Sequence, residues 1–200
     1  MAKTRLIYLH GFNSSPDSFK AQAVKKRILE RSSASGGDWQ DLLEIPEIPS
    51  APVDAMEMLT RCVEQAEKNY TVALAGSSLG GFYATCLAER YGSRAVLINP
   101  AVRPHNLLKK YLGENVNYYT SERWMLDKKH IEQLRQLDVD PITLPERYLL
   151  MLQTGDEKLD YRLAVEKYDG CPSVIEEGGN HSFVNFESHI DRILDFCEIV

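Results

Sequence analysis

The sequence has no surplus of positive charge: 23 Lys and Arg stand against 29 Asp and Glu, a formal net charge of −6. No basic block interrupts that acidic background, so the electrostatic footprint of a nucleic-acid partner is missing. Cysteine is scarce as well. The four residues Cys62, Cys86, Cys171 and Cys197 lie far apart without a CxxC pair, which excludes a zinc knuckle and reads as core thiols in a reducing compartment. Long apolar runs are missing too, and the longest, such as residues 148–152, fall far short of the about 20 residues that cross a bilayer. The opening MAKTRLIYLHGF enters a strand-like run without the apolar stretch and cleavage site of a secretory signal. A cytoplasmic protein with no membrane span, no nucleic-acid partner and no cofactor or metal is expected.

What the sequence does have is alternation. Short apolar runs at residues 6–9, 42–45, 72–75, 95–98, 149–152 and 174–175 lack the polar interleaving of a half-exposed strand, as strands covered on both faces do. Between them lie stretches of helical period. Met56, Leu59, Val63 and Ala66 make one apolar stripe, and Phe186, Ile190, Ile193 and Cys197 make another. Ser15-Pro16-Asp17 carries the signature of a helix start, Ser50 to Pro52 resembles it, and Gly92 suits a helix end. SSASGGD at residues 32–38 has the composition of a surface loop. The pattern predicts a single α/β domain over residues 1–200: three layers, with helices on both faces of a mostly parallel six-stranded sheet. Residues 103–146 are too long for an ordinary connection and form a small helical, lid-like insertion in this reading.

The stretch AGSSLGGF follows one of the apolar runs and precedes a helical segment. A phosphate loop would need GxGxxG or a GK[ST] ending, and neither is present. Gly76, Ser78 and Gly80 instead satisfy GxSxG, the pattern of a serine held at the tip of a strained strand-to-helix turn. The chain two residues before and after such a serine passes so close that side chains collide, which is why glycine flanks it. Ser77 fails that test, because Ala75 and Leu79 would be its flanks. Ser78 is the candidate nucleophile.

A serine nucleophile needs a base to take its proton and an acid to fix the base's tautomer. Of the five histidines, His181 sits in GGNHSF, directly after the last apolar run and before the last helical segment. That places it at a strand C-terminal edge, where ligand crevices of open parallel sheets form. His105 and His130 fall in the insertion and read as solvated, and His189 as a residue of the last helix. The acid is expected from QTGDEKLDY, where Asp156 immediately follows a strand and gives the order Ser, Asp, His. Asp160, four residues on, reads better as a helix cap. Backbone N–H groups of Leu79 and of Phe12, beside Gly11, are the candidate oxyanion donors.

Four ordered motifs, YLHGFNSSP, AGSSLGGFYAT, QTGDEKLDYR and GGNHSF, together resemble the YqiA-like esterase family of bacteria within the α/β-hydrolase superfamily, along essentially the whole chain. The resemblance implies the strand order 2-1-3-4-5-6 and a serine hydrolase of carboxylic esters, with Ser78, Asp156 and His181 at the triad positions. The same triad would serve an acyl thioester of coenzyme A, whose phosphates Lys109 and Lys110 could meet. The expected partner is therefore a small-molecule acyl ester or acyl thioester. A non-catalytic scaffold has no need to keep all three residues. His10, Tyr111, Trp124 and Met125 are candidates for the substrate pocket, although the aromatic residues of the insertion would serve equally as its own small core.

Overall fold

Six strands, Thr4–Leu9 (β1), Leu43–Glu44 (β2), Thr71–Ser77 (β3), Arg94–Ile98 (β4), Tyr148–Gln153 (β7) and Ser173–Glu176 (β8), form one sheet in a computed structural model that describes residues 3–35 and 39–199. Their order is β2-β1-β3-β4-β7-β8, and every neighbouring pair is parallel. Counting only these six strands, the order is the expected 2-1-3-4-5-6.

In β1, β3, β4 and β7 the lack of polar alternation has a direct cause, because both faces are covered; the edge strand β8 departs from the expectation, with Ile175 46% exposed. Ile7, Leu9, Leu74, Leu97 and Leu150 turn into one core, while Leu6, Tyr8, Ala75, Val96 and Met151 turn into the other. On the first face lie Pro52–Ala66 (α2) and Leu79–Tyr91 (α3), and the stripe Met56, Leu59, Val63, Ala66 is buried there. On the second lie Phe19–Ser35 (α1) and Ile190–Phe196 (α7), with Val24, Ile28, Ile190 and Ile193 buried. Burying a side chain the size of Leu59 contributes about 1.5–3 kcal/mol.

Several local expectations need correction. α1 begins at Phe19, because the Ser15 hydroxyl accepts the N–H of Asp17 at 3.1 Å and the Ser15 carbonyl that of Ser18 at 3.1 Å, closing a turn first. It continues through Ser35, so residues 32–35 of the expected loop are helical; residues 36–38 lie outside the described residues. Ala51, not Ser50, is the N-cap of α2, with Pro52 in its first turn. Gly92 ends α3 at φ 72°, as its position suggests.

Residues 103–146 are only partly helical. Pro104–Leu107 (α4) and Lys128–Leu137 (α5) flank an antiparallel hairpin of Gly113–Val116 (β5) and Arg123–Leu126 (β6). The hairpin strands carry only one buried residue each, Asn115 and Leu126, so they leave no apolar run to read. His130 is buried rather than solvated: its Nδ1 accepts the N–H of Asp127 at 3.1 Å in the capping box of α5. His105 is also largely covered, its Nδ1 3.6 Å from Asp138 Oδ2. Among the described residues, no helix is long and apolar enough to cross a membrane.

α1 and α7 are tied by Asp191, which accepts from Arg27 Nε at 2.7 Å, Arg27 Nη2 at 2.8 Å and Arg31 Nη2 at 2.8 Å. The Arg27 guanidinium, opposed by slight burial and helped by Arg31, holds this carboxyl down at about 2. A depressed carboxyl stabilises the fold fully above its unfolded pKa near 4, and the contribution disappears as pH falls toward 2. Asp191→Asn is therefore expected to lower Tm by a few degrees near neutral pH. Melting curves of both proteins should converge between about pH 4 and 2, and a gap independent of pH would contradict the ion-pair origin.

Candidate active site

Ser78 joins the end of β3 to the start of α3 with φ 56° and ψ −119°, a conformation that costs a residue with a side chain about 1–3 kcal/mol. Its N–H donates to the Ile98 carbonyl at 3.1 Å, and its own carbonyl accepts from Gly81 at 3.0 Å and Ala101 at 2.9 Å. The glycines around it have steric reasons. A Cβ on Gly76 would lie 2.6 Å from the Gly81 nitrogen and closer still to the Gly80 carbonyl; one on Gly80 would meet the carbonyls of Leu9 and His10, the latter at 2.6 Å. Ser77 is buried and borders only the larger of two cavities, whereas Ser78 is half-buried and lines both.

His181 lines the same two cavities. Its Nδ1 lies 2.8 Å from Asp156 Oδ2 and 3.1 Å from Oδ1, and the Asp156 side chain is only 2% exposed. An ionised carboxylate can only accept, so Nδ1 carries the proton and Nε2 is left as the basic nitrogen. Asp156 Oδ1 also accepts the N–H groups of Lys158 and Leu159, each at 2.9 Å. Burial pushes the Asp156 carboxyl up, but the His181 hydrogen bond and these backbone donors outweigh it and leave it below the usual carboxylate range. Asp160 is elsewhere: it is the N-cap of Tyr161–Lys167 (α6), accepting the N–H of Arg162 at 3.1 Å.

The smaller cavity, about 70 Å³, is walled by Phe12, Leu79, Leu107, Leu108 and Tyr111. The larger, about 270 Å³, lies toward α1. Leu79 is the first residue of α3, so its N–H has no intrahelical acceptor. Phe12 packs against Tyr111 and Trp124, with ring centroids 5.8 and 5.7 Å apart. Trp124 lies behind Phe12, in neither cavity, and donates Nε1–H to Asn13 Oδ1 at 2.8 Å. Met125 is 57% exposed and lines neither cavity, which corrects its place among the pocket candidates: alternation along β6 turns it away from Trp124. His10 borders the larger cavity, yet both ring nitrogens are engaged, Nδ1 with the Gly11 carbonyl at 3.2 Å and Nε2 with the Ile48 N–H at 3.2 Å. Burial lowers its pKa, against the Gly11 hydrogen bond, so it stays neutral. The four cysteines are free thiols raised by burial, to about 11 for Cys171 and about 12 for the others, which makes them poor nucleophiles. Among the described residues, no group of three or more His, Cys, Asp or Glu is placed to hold a metal ion.

A profile described as an uncharacterised protein family, UPF0227, matches residues 5–198. The chain belongs to UPF0227. A UPF0227 protein of Serratia proteamaculans (strain 568) is 25% identical over 195 residues, spanning 96% of this chain and 97% of its own. One from Yersinia pseudotuberculosis serotype O:3 (strain YPIII) is 25% identical over 198 residues, with the same coverage. Among solved structures, Est1E from Butyrivibrio proteoclasticus superposes with a TM-score of 0.68 at 16% identity, covering 99% of this chain and 87% of that one. Mouse alpha/beta hydrolase domain-containing protein 10 gives 0.67 at 16% identity, covering 98% and 91%. The family is the YqiA-like one its motifs resemble, and the fold is that of the α/β hydrolases.

In this UPF0227 chain two further residues hold the histidine loop, and sequence reasoning missed both. Gln153, at the end of β7, is buried; its Oε1 accepts the N–H groups of Asn180 at 3.1 Å and Val184 at 2.8 Å, and its Nε2 donates to the Val184 carbonyl at 2.9 Å. Asn99, at the end of β4, donates Nδ2–H to the Asn180 carbonyl at 3.2 Å and accepts the Gln153 N–H at 3.0 Å. The available signal was a polar amide closing each of two apolar strands. Gln153→Leu strands several buried partners at once and is expected to cost roughly 2–4 kcal/mol. Urea unfolding measures it, and an unchanged midpoint would remove Gln153 from this role.

Proposed function

We propose that this chain is a serine hydrolase that cleaves small-molecule carboxylic esters through an acyl-enzyme on Ser78. The observation that carries the reading is the part-buried Asp156–His181 hydrogen bond, on a loop that shares its cavities with the strained Ser78. Ser78 Oγ attacks the ester carbonyl as His181 Nε2 takes its proton. The tetrahedral oxyanion is stabilised by the N–H groups of Leu79 and Phe12, each donor contributing roughly 3 kcal/mol in comparable sites. Collapse expels the alcohol, which receives the proton from His181. Water, deprotonated by the same imidazole, then attacks the acyl-enzyme and returns Ser78 with a free acid. Asp156 holds the tautomer and stabilises the transient imidazolium without taking the proton.

In this proposal residues 103–146 act as a small lid of the same domain, since Leu107, Leu108 and Tyr111 wall the smaller cavity beside Ser78. A thioester of coenzyme A is the second reading, supported by Lys110 at that cavity's edge. A panel of acyl esters and acyl-CoA thioesters separates the two.

Ser78→Ala is expected to abolish both turnover of 4-nitrophenyl butyrate and fluorophosphonate labelling, with the melting temperature kept; labelling that persists elsewhere overturns the assignment. Asp156→Asn is expected to lower kcat on the order of 10⁴-fold, whereas Asp160→Asn leaves it within a few-fold.

A further inference from the structure

The larger cavity combines aromatic rings, Phe19 and Tyr118 among them, with a cationic and hydroxyl-bearing side. Beside Ser78 and His181 that side is lined by Tyr8, Ser18, Lys20 and Lys158. Tyr8 is fully buried on β1, and among the described residues its hydroxyl has no hydrogen-bond partner, although the Ser77 side chain is close enough to act on it. Burial pushes this phenol far above its ordinary value, so it keeps its proton and remains a donor. Lys20 Nζ donates to the Ser182 carbonyl at 3.0 Å, which uses one of its three N–H groups. The carboxylate that acts on this ammonium, Asp156, already accepts from His181, Lys158 and Leu159, and Glu157 accepts the His181 N–H. The cavity is therefore lined by two lysines and by Tyr8, whose unpartnered hydroxyl is buried in its wall, with no carboxylate among the residues lining it.

Resting on the serine-hydrolase reading, we propose that this cavity is an anion subsite: the substrate is an ester that carries a carboxylate or similar small oxyanion close to its scissile carbonyl, bound by Lys20 and Tyr8 with Lys158 at the rim. Charge-assisted hydrogen bonds to a substrate oxyanion satisfy the Tyr8 donor and the remaining Lys20 N–H groups together. Burial lowers the Lys20 pKa to about 8, Asp156 opposing and Lys158 adding to the shift, and an incoming anion offsets the penalty of holding that charge. The apolar cavity under Leu107 and Leu108 is left for the substrate's other arm.

Two matched pairs of esters test this on the intact protein. 4-Nitrophenyl hydrogen glutarate against 4-nitrophenyl valerate places the charge on the acyl arm; the butyrate of 3-hydroxybenzoate against phenyl butyrate places it on the alcohol arm. Each kcat/KM is divided by the ester's rate with hydroxide. In one of the pairs the charged ester is expected to exceed its neutral partner by about tenfold at neutral pH and low salt. Lys20→Met is expected to bring that ratio to near one, Lys20→Arg to retain most of it, and Tyr8→Phe to reduce it several-fold. Charged esters handled no better than neutral ones in both pairs, or a ratio unchanged in Lys20→Met, overturns the subsite. Failure of the underlying hydrolase reading looks different: the neutral esters are not turned over, or their turnover survives Ser78→Ala.

Discussion

The site depends on one steric constraint, the passage of the chain through Ser78 beneath the end of β1. A residue with positive φ between strand and helix turns α3 back sharply, and Gly80 then lies so close under the Leu9 and His10 carbonyls that no side chain fits. The same turn presses Gly81 onto Pro100, where a Cβ would stand 2.8 Å from the proline ring. The ends of β1, β3 and β4 are thus fixed against one helix N-terminus. Gly11 completes the arrangement, since its own missing Cβ would touch the Ser77 carbonyl and Ser78 Cβ, each at 3.3 Å. The loop carrying Phe12 is therefore set against Ser78 by contact. The strain at Ser78 persists because its peptide groups are bonded on both sides, to Ile98 and to Ala101.

Around that turn the site is assembled from loops, held largely by buried amides, beside Glu157, which accepts the His181 N–H, and Lys20, which donates to the Ser182 carbonyl. Gln153 and Asn99 join the ends of β4 and β7 to the histidine loop, and the Gly155 N–H donates to the Gly178 carbonyl at 2.7 Å, bringing the acid loop onto it. On the other side Asn13 accepts from Trp124, and Asn117 donates to the Ser14 carbonyl at 2.8 Å, fastening the loop after β1 to the hairpin. Neutral amides supply donors and acceptors in fixed directions without adding charge beside a carboxylate and an imidazole. A charged residue in the place of Gln153 would shift the electrostatics of the pair it positions.

The covered faces of the inner strands and the nucleophile turn were legible because they rest on local rules: apolar runs without alternation, helical stripes at three and four spacing, and a GxSxG turn whose sterics can be tested residue by residue; the strand order came only from the resemblance of four motifs to a known family. The choice of Ser78 over Ser77 follows from Leu79 alone, and the structure shows the collision that glycine avoids at Gly80. What was not legible depends on distant partners. His130 looks like any solvated histidine in sequence, yet it closes the capping box of α5 while its ring packs on Trp124 at 5.9 Å. The hairpin of residues 113–126 is held by Asn13 and Ser14, more than a hundred positions away in places, so its own strands need no apolar run. Nor does anything local distinguish Tyr8 from the other apolar positions of β1.

The two aspartates after β7 illustrate how environment divides roles between identical side chains. Asp160 has a 40% exposed side chain and is neutralised by Arg162 at 2.7 Å, so its charge serves a helix start. Asp156 is covered, and no arginine or lysine side chain makes an ion pair with it among the described residues; its partners are two backbone N–H groups and an imidazole. A permanent cation bonded to Asp156 would satisfy the carboxylate whatever the state of His181. With neutral donors instead, the carboxylate gains most when the imidazole becomes cationic, which is the moment the proposed reaction requires it. Lys20, whose ammonium is near enough to interact with Asp156, is held on Ser182 rather than on the carboxylate, so the imidazole keeps that place.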